Sequence, residues 1–180
     1  ILYIVYENHT RNKELLKYAQ TDALTGLYNK ETTEQLTDEL LSEDENKYHA
    51  FLILDVDCFK QINDIYGHAV GDIVLQKFGK LLKGTFREGD ILGRIGGDEF
   101  GVIMKNIQTK DIAMKKAEEL LAKTQAYKID ELKGNNISIS IGISTAPQDG
   151  DCYMDLYKRA DQALYQAKRS GKARVCNYFS

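Results

Sequence analysis

Three carboxylates stand where apolar runs stop. Asp55 closes the run FLILD, and Asp98 and Glu99 lie in RIGGDEFG, residues 94–101, between ILGRI and FGVIM. Magnesium prefers oxygen ligands, keeps several waters and is commonly held by one or two carboxylates together with substrate phosphates. Two such ions can activate an attacking hydroxyl and stabilise a departing pyrophosphate. A carboxylate at a hairpin tip beside one at a neighbouring strand end would build a site of that kind. Plainer accounts stand next to it. Asp55 alone reads as a solvated strand-end group, and Gly96 and Gly97 alone read as a turn, because positive φ is free only to glycine.

Groups suited to phosphate and base recognition flank these acids. FKQIND supplies Lys60 as a cation and Asn63 as a two-edged amide able to read a purine, and Asp72, after Gly71, can accept from a guanine amino group. Helix capping accounts for Asn63 and Asp72 equally well on local grounds. Near the C-terminus, KRSGKAR places Lys168, Arg169, Lys172 and Arg174 just past an amphipathic stretch. That pattern fits a phosphate clamp, and it also fits the ordinary preference for cations at helix C-termini.

The chain of 180 residues, 43% hydrophobic, is long enough for one well-buried core and short for two. A formal net charge of -3 gives no global basic field for sequence-independent nucleic-acid binding. Three cysteines without CxxC spacing argue against a disulfide framework or a zinc site and favour a reducing compartment. The first apolar run, ILYIVY, is far below the roughly 18 residues of a membrane span. It reads as part of a short leader over residues 1–21, ahead of a domain over residues 22–180.

The elements that must position these residues follow from periodicity. In TDALTGLYN, Thr21 or Asp22 can cap and Gly26 and Asn29 tolerate turns. A helix follows with Leu36, Leu40 and Leu41 on one side. HAFLILDVD is apolar at consecutive positions, as a strand covered on both faces would be. Val74, Phe78, Leu81 and Leu82 mark a helix over residues 69–85, and ILGRI with FGVIM a hairpin. Ala113, Ala117, Leu120 and Leu121 mark another helix. NISISIGIS alternates at period two, Leu156, Ala160, Ala163, Leu164 and Ala167 form a strong final helix, and residues 174–178 suit a closing strand. Alternating helices and strands with one hairpin inserted specify an α/β sandwich, helices on a mixed sheet. The three histidines are scattered, and His68 suits a structural role.

Taken in order, DALTGLYN, LDVDCFKQIND, YGHAVGD, RIGGDEF, SISIGIS and ADQALYQAKRSGK resemble the GGDEF domain, the diguanylate cyclase family of bacterial signalling proteins. The resemblance covers nearly everything from Asp22 onward. It implies a palm-like α/β domain, similar to those of nucleotidyl cyclases, in which two GTP condense to cyclic di-GMP with release of two pyrophosphates. It further implies a homodimer as catalytic unit, Mg2+ (or Mn2+) as cofactor and an upstream sensory domain. The location implied is cytoplasmic, with a membrane anchor elsewhere in the full-length protein compatible with it.

By position, Asp55 and Asp98 match the family's metal carboxylates, with the carbonyl of Val56 as a further ligand, and Glu99 an essential residue supporting metal or transition state. Lys60, Lys168 and Lys172 match phosphate contacts, Asn63 and Asp72 the guanine-reading pair, and Gly96 and Gly97 the turn that lets backbone approach the nucleotide. Arg87 and Asp90 form an RxxD motif at the family's product-inhibition position; a surface ion pair is the plain alternative. Lys30 and Lys172 stand where the family usually has Arg, the latter exchanging a bidentate fork for a point charge. Two other functions are compatible with the fold: a module that binds GTP or cyclic di-GMP without turnover, which degenerate hairpin motifs would favour, and a cyclase using adenine, which the Asn63 and Asp72 pair disfavours.

Overall fold

The structure, a computed structural model, describes residues 19–43 and 47–178. The expected leader falls almost wholly outside them. Strand β1, His49–Val56, is buried at every position. Alternate residues of a strand face opposite sides, and both sides of β1 are covered. Ala50, Leu52, Leu54 and Val56 enter one core, and Phe51 and Ile53 enter the other. Full burial of each large aliphatic contributes roughly 1.5–3 kcal/mol, so the run HAFLIL can only be stable in the middle of a layered fold.

The helices and remaining strands supply those layers. Around β1 the sheet runs β2-β3-β1-β4-β5, with β2 at Ile91–Arg94, β3 at Glu99–Met104, β4 at Ile139–Ala146 and β5 at Val175–Asn177. Pairing is antiparallel except between β4 and β5. Helices α1 (Lys30–Glu43), α2 (Phe59–Tyr66), α3 (His68–Thr85), α4 (Lys110–Ala126) and α5 (Tyr153–Arg169) complete the described elements, with a short 3-10 turn at Asp130–Leu132. Val74, Leu75, Phe78 and Leu82 of α3 and Ala113, Ala117 and Leu120 of α4 close one core; Leu41 of α1 and Leu156, Ala160 and Leu164 of α5 close the other. The result is the mixed sheet flanked by helices that the order of elements implies.

Local chemistry departs from expectation in two places. Asn29, not Thr21 or Asp22, caps α1, its Oδ1 accepting from Thr32 N at 2.9 Å. Asp22 instead caps the turn before it, accepting from Thr25 N and Oγ1 at 2.8 and 2.7 Å. FKQIND forms a helix of its own, α2, separated from α3 only by Gly67 at φ +85°. The alternation in NISISIGIS does not mark a solvent face, because β4 is buried throughout. Its serines are satisfied internally, Ser144 Oγ donating to Leu156 O at 2.8 Å and Ser140 Oγ to Asp57 at 2.7 Å.

Small residues on that face of β4 let α5 approach closely. A Cβ at Gly142 would lie 2.0 Å from Ala160 O and 2.3 Å from Leu164 N, both backbone atoms that no rotamer change can move. Gly142→Ala is therefore expected at or beyond the upper end of the ~1–3 kcal/mol typical of overpacking. That corresponds to a melting temperature lower by about 10 °C. Gly84→Ala, in α3 with nothing within 4 Å of the new methyl, is expected to stabilise by ~0.5–1 kcal/mol. Thermal unfolding of the two variants checks both signs.

Candidate active site

The β1–β3 register pairs Asp55 with Glu99, and the β1–β4 register pairs Asp55 with Ser140. Directly opposed residues of an antiparallel pair share a face, so two carboxylates from distant parts of the sequence meet at one end of the sheet. The face is that of Phe51 and Ile53, the one α5 covers. From the last turn of α5, Lys168 Nζ reaches Asp55 Oδ2 at 2.7 Å. Asp55 is only 8% exposed, so it is not a solvated strand-end group.

The electrostatics are those of crowded acids. Burial pushes the Asp55 carboxyl above its ordinary range; Lys168 opposes the shift, while Asp98 and Asp57 add to it. Burial also raises Glu99, followed by the charge of Asp55, with Lys168 opposing and Asp98 and Asp161 adding. An all-oxygen donor set under mutual repulsion suits a hard divalent cation. Asp55, Asp98 and Glu99 bring carboxylate oxygens of that kind to one end of the sheet.

The hairpin tip is locked from two sides. Ile95 N and Gly96 N both donate to Glu99 O, at 3.0 and 3.2 Å, and Val56 N donates to Asp98 O at 3.2 Å, tying the tip to the end of β1. Arg94 donates from Nε and Nη2 to Gly97 O at 3.2 and 2.7 Å and from Nη1 to Asp22 Oδ2 at 3.1 Å. Burial alone would raise the Asp22 carboxyl, but the Thr25 hydroxyl and amide together with Arg94 hold it below its ordinary value. Neither Gly96 nor Gly97 adopts positive φ, so the turn does not need glycine for its backbone angles. At Gly96 the reason is space: a Cβ would sit 2.9 Å from Glu99 Oε2 and 3.2 Å from Glu99 Cβ. At Gly97 an added Cβ meets no protein atom within 4 Å.

The base and phosphate candidates lie on α2, α3 and the segment after α5. Asn63 and Asp72 are each the fifth residue of a helix, so neither is a cap. Asp72 and Lys60 are exposed. Asn63 Oδ1 is buried with no hydrogen-bond partner among the described residues, and a Cβ at Gly71 would lie 2.0 Å from it. Lys172 Nζ contacts Cys58 Sγ at 3.1 Å, just before α2.

A family model described as diguanylate cyclase, GGDEF domain, matches residues 19–174. The chain belongs to the GGDEF family. Relatives of this GGDEF domain include diguanylate cyclase A of Treponema denticola, 37% identical over 170 residues, 91% of this chain and 46% of that protein. The response regulator PleD of Caulobacter vibrioides is 37% identical over 177 residues, 94% of this chain and 39% of that protein. The chain thus spans less than half the length of these two relatives. Among solved structures, the coiled coil and GGDEF domain of DgcB from Caulobacter crescentus, in complex with c-di-GMP, matches with TM-score 0.89 at 25% identity over 98% of this chain and 94% of that one. The GGDEF domain of TpbB from Pseudomonas aeruginosa matches with TM-score 0.83 at 33% identity, covering 88% and 94%.

In this GGDEF domain Arg87 and Asp90 are not equivalent. The Asp90 side chain is 3% exposed and accepts from Arg87 Nε at 3.0 Å and Lys105 N at 3.1 Å, whereas Arg87 is 60% exposed. Arg87 also donates to Lys105 O. Asp90 therefore holds Arg87 in place at the rim of a cleft of about 630 Å³, lined also by Met104, Ile112, Lys115 and Lys116. Elsewhere, Asp151, Cys152 and Asp155 bring possible ligand atoms within 4.8 Å of one another; Asp55, Asp98 and Glu99 are not drawn together that tightly. No described helix is long and apolar enough to cross a membrane.

Two residues of the GGDEF site escaped the sequence reading. Arg94 reads as part of a signature, yet its partner Asp22 is 72 positions away. Asp57 reads as one more acid in LDVD, yet it is 6% exposed and hydrogen-bonded. The i, i+2 spacing of Asp55 and Asp57 is the one signal that could have pointed to it.

The raised Glu99 carboxyl has a consequence for stability. Its folded value exceeds the unfolded ~4.3, so the ionised form is disfavoured by folding, and its contribution becomes unfavourable as pH rises through the folded value. Glu99→Gln in the ligand-free domain is expected to raise the melting temperature at pH 7. The gain should shrink as pH falls below the ordinary Glu range, where both forms are neutral. Thermal melts of parent and variant between pH 4 and pH 8 check this, and an equal gain at all pH values would contradict it.

Proposed function

We propose that the chain is the catalytic domain of a diguanylate cyclase, making cyclic di-GMP from two GTP. The observation that carries this is the meeting of Asp55 and Glu99 across paired strands, with Asp98 beside them and Lys168 on Asp55. The domains named diguanylate cyclase among its relatives support it. The site favours turnover over mere binding, because every acid of the RIGGDEF tip is present and the tip is rigidly held.

In the reaction, the ribose 3′-hydroxyl of one GTP attacks the α-phosphorus of the other, and the bond to pyrophosphate breaks; the reciprocal attack closes the ring. Each domain holds one GTP, so two copies must meet face to face. Asp55, Asp98 and the Val56 carbonyl would hold Mg2+ or Mn2+, with Glu99 alongside, supplying neutralisation of phosphate charge. Lys60, Lys168 and Lys172 would bind phosphates, and Asn63 with Asp72 would orient guanine, the unpartnered Asn63 Oδ1 accepting from the base. Gly97, whose missing side chain the protein's own packing does not require, leaves room for nucleotide against the backbone. What remains for the protein is positioning and charge neutralisation. Arg87, held by Asp90, would bind product at the cleft edge and give feedback inhibition. An upstream sensory domain would control how two copies meet.

Cyclic di-GMP formation from GTP and Mg2+, measured over a range of protein concentrations, tests this. Product should rise more than linearly with protein, and Asp98→Ala should lower the rate by at least ~100-fold. GTP binding without product, even in an artificially dimerised protein, would favour the binding module. Arg87→Ala should leave the initial rate unchanged and abolish inhibition by added cyclic di-GMP.

A further inference from the structure

Asp57 has no part in the chemistry described above, yet it is among the most fully engaged side chains near the site. Its Oδ1 accepts from Ser140 Oγ at 2.7 Å, and its Oδ2 accepts from Ser138 Oγ at 2.8 Å and from Ala173 N at 3.1 Å. Its own N donates to Ser138 O at 2.9 Å. One buried carboxylate thereby joins the end of β1, the approach to β4 and the loop after α5. With three donors already on it and 6% exposure, it is poorly disposed to serve as an additional metal ligand.

The loop it holds is unusual. Gly171, Lys172 and Ala173 have φ of +112°, +60° and +49°, and two of the three are not glycine. Left-handed backbone at Lys and Ala is intrinsically unfavourable and persists only where surroundings enforce it. Lys172 N donates to Ala167 O at 3.1 Å, closing the end of α5, and Arg174 Nε donates to Lys172 O at 3.0 Å. The Ala173 amide on Asp57 ties the loop to the sheet. The conformation so enforced brings Lys172 to Cys58 Sγ, just past the end of β1 and next to Asp57 in sequence. Lys168, one turn earlier, stands on Asp55.

We infer that, given the cyclase assignment proposed above, Asp57 is a positioning residue: it fixes the left-handed loop Gly171–Ala173 and so aims Lys172 at the phosphates of GTP. Asparagine at this position keeps the shape but must face at least one of the donors with its own N–H groups. With its Oδ1 on the Ala173 amide and its N–H groups turned to a serine hydroxyl, which can accept, it exchanges a charged acceptor for a neutral one, so the loop's tether weakens while the metal carboxylates keep theirs.

A mutant cycle separates this role from general destabilisation. Asp57→Asn is expected to raise KM for GTP about tenfold with kcat within about threefold, the pattern of lost uniform binding. Lys172→Met should act alike, and the double variant should be no worse than the worse single one. Amide hydrogen exchange supplies an arm independent of turnover, in which residues 171–174 of Asp57→Asn exchange faster while β1 stays protected. Single-variant effects that multiply in the double variant, a fall in kcat with altered Mg2+ dependence, or unchanged exchange would each overturn the proposal. If Asp57→Asn does not fold, the Ser138→Ala/Ser140→Ala variant, which strips the carboxylate of its two hydroxyl donors and leaves the Ala173 amide on an unanchored side chain, is run through the same cycle and decides. A parent that neither binds nor turns over GTP would overturn the cyclase assignment and the aim of Lys172 with it, and the exchange arm alone would then decide the tether.

Discussion

Strand β1 is hydrogen-bonded along both edges and covered on both faces, and the site depends on that double constraint. Register in a sheet is set by which residues must be buried, and a slip of one residue turns every side chain to the other face. For β1 such a slip would send Asp55 into the core beneath α3 and bring Leu54 to the acidic end. Two neighbours, β3 and β4, hold the register at once. The apolar pattern FLIL therefore fixes the geometry of the acidic end of the sheet to within a side chain, although none of those four residues is acidic.

The acidic end of the sheet illustrates how a stable scaffold carries an unfavourable site. Asp55 and Glu99 are opposed, partly desolvated and near Asp98, and burial raises both carboxyls. Lys168 compensates in part, arriving from α5 by a helix whose approach is set by Gly142 and its small neighbours. The hairpin tip is held by Arg94, which fastens Gly97 O to Asp22 at the start of the domain. Any displacement of residues 22–28 is mechanically joined to the loop bearing Asp98, through this guanidinium and through Tyr28, which bonds Leu92 and Arg94 on β2.

Much of this was legible in the sequence because it rests on short-range pattern. The consecutive apolar run of β1, the helical spacing in α3, α4 and α5, and the hairpin around RIGGDEF all emerged where periodicity placed them. What escaped depended on contacts between distant segments. Asp55 reads as exposed from its position at a strand end, and only α5 overhead makes it buried. The alternation of NISISIGIS reads as a strand, and only Asp57 and the Leu156 carbonyl reveal Ser140 and Ser144 as satisfied core groups. Gly96 and Gly97 read as glycines needed for turn angles, whereas neither has positive φ, and only at Gly96 would a Cβ crowd a neighbour, the Glu99 side chain. Asn63 and Asp72 suit caps as residue types, and it took the helix boundaries to set both inside helices.

Gly71 carries a consequence of a different kind. Within a helix, glycine is about 1 kcal/mol less favourable than alanine, and α3 carries that deficit beside α2. A single methyl group there would collide with the Asn63 carboxamide oxygen. Selection for a sturdier helix and selection for an undisturbed amide thus oppose each other at one carbon atom. Engineering that screens helical glycines for thermostability would be drawn to this position, and the methyl it added would push the Asn63 carboxamide out of its place between α2 and α3.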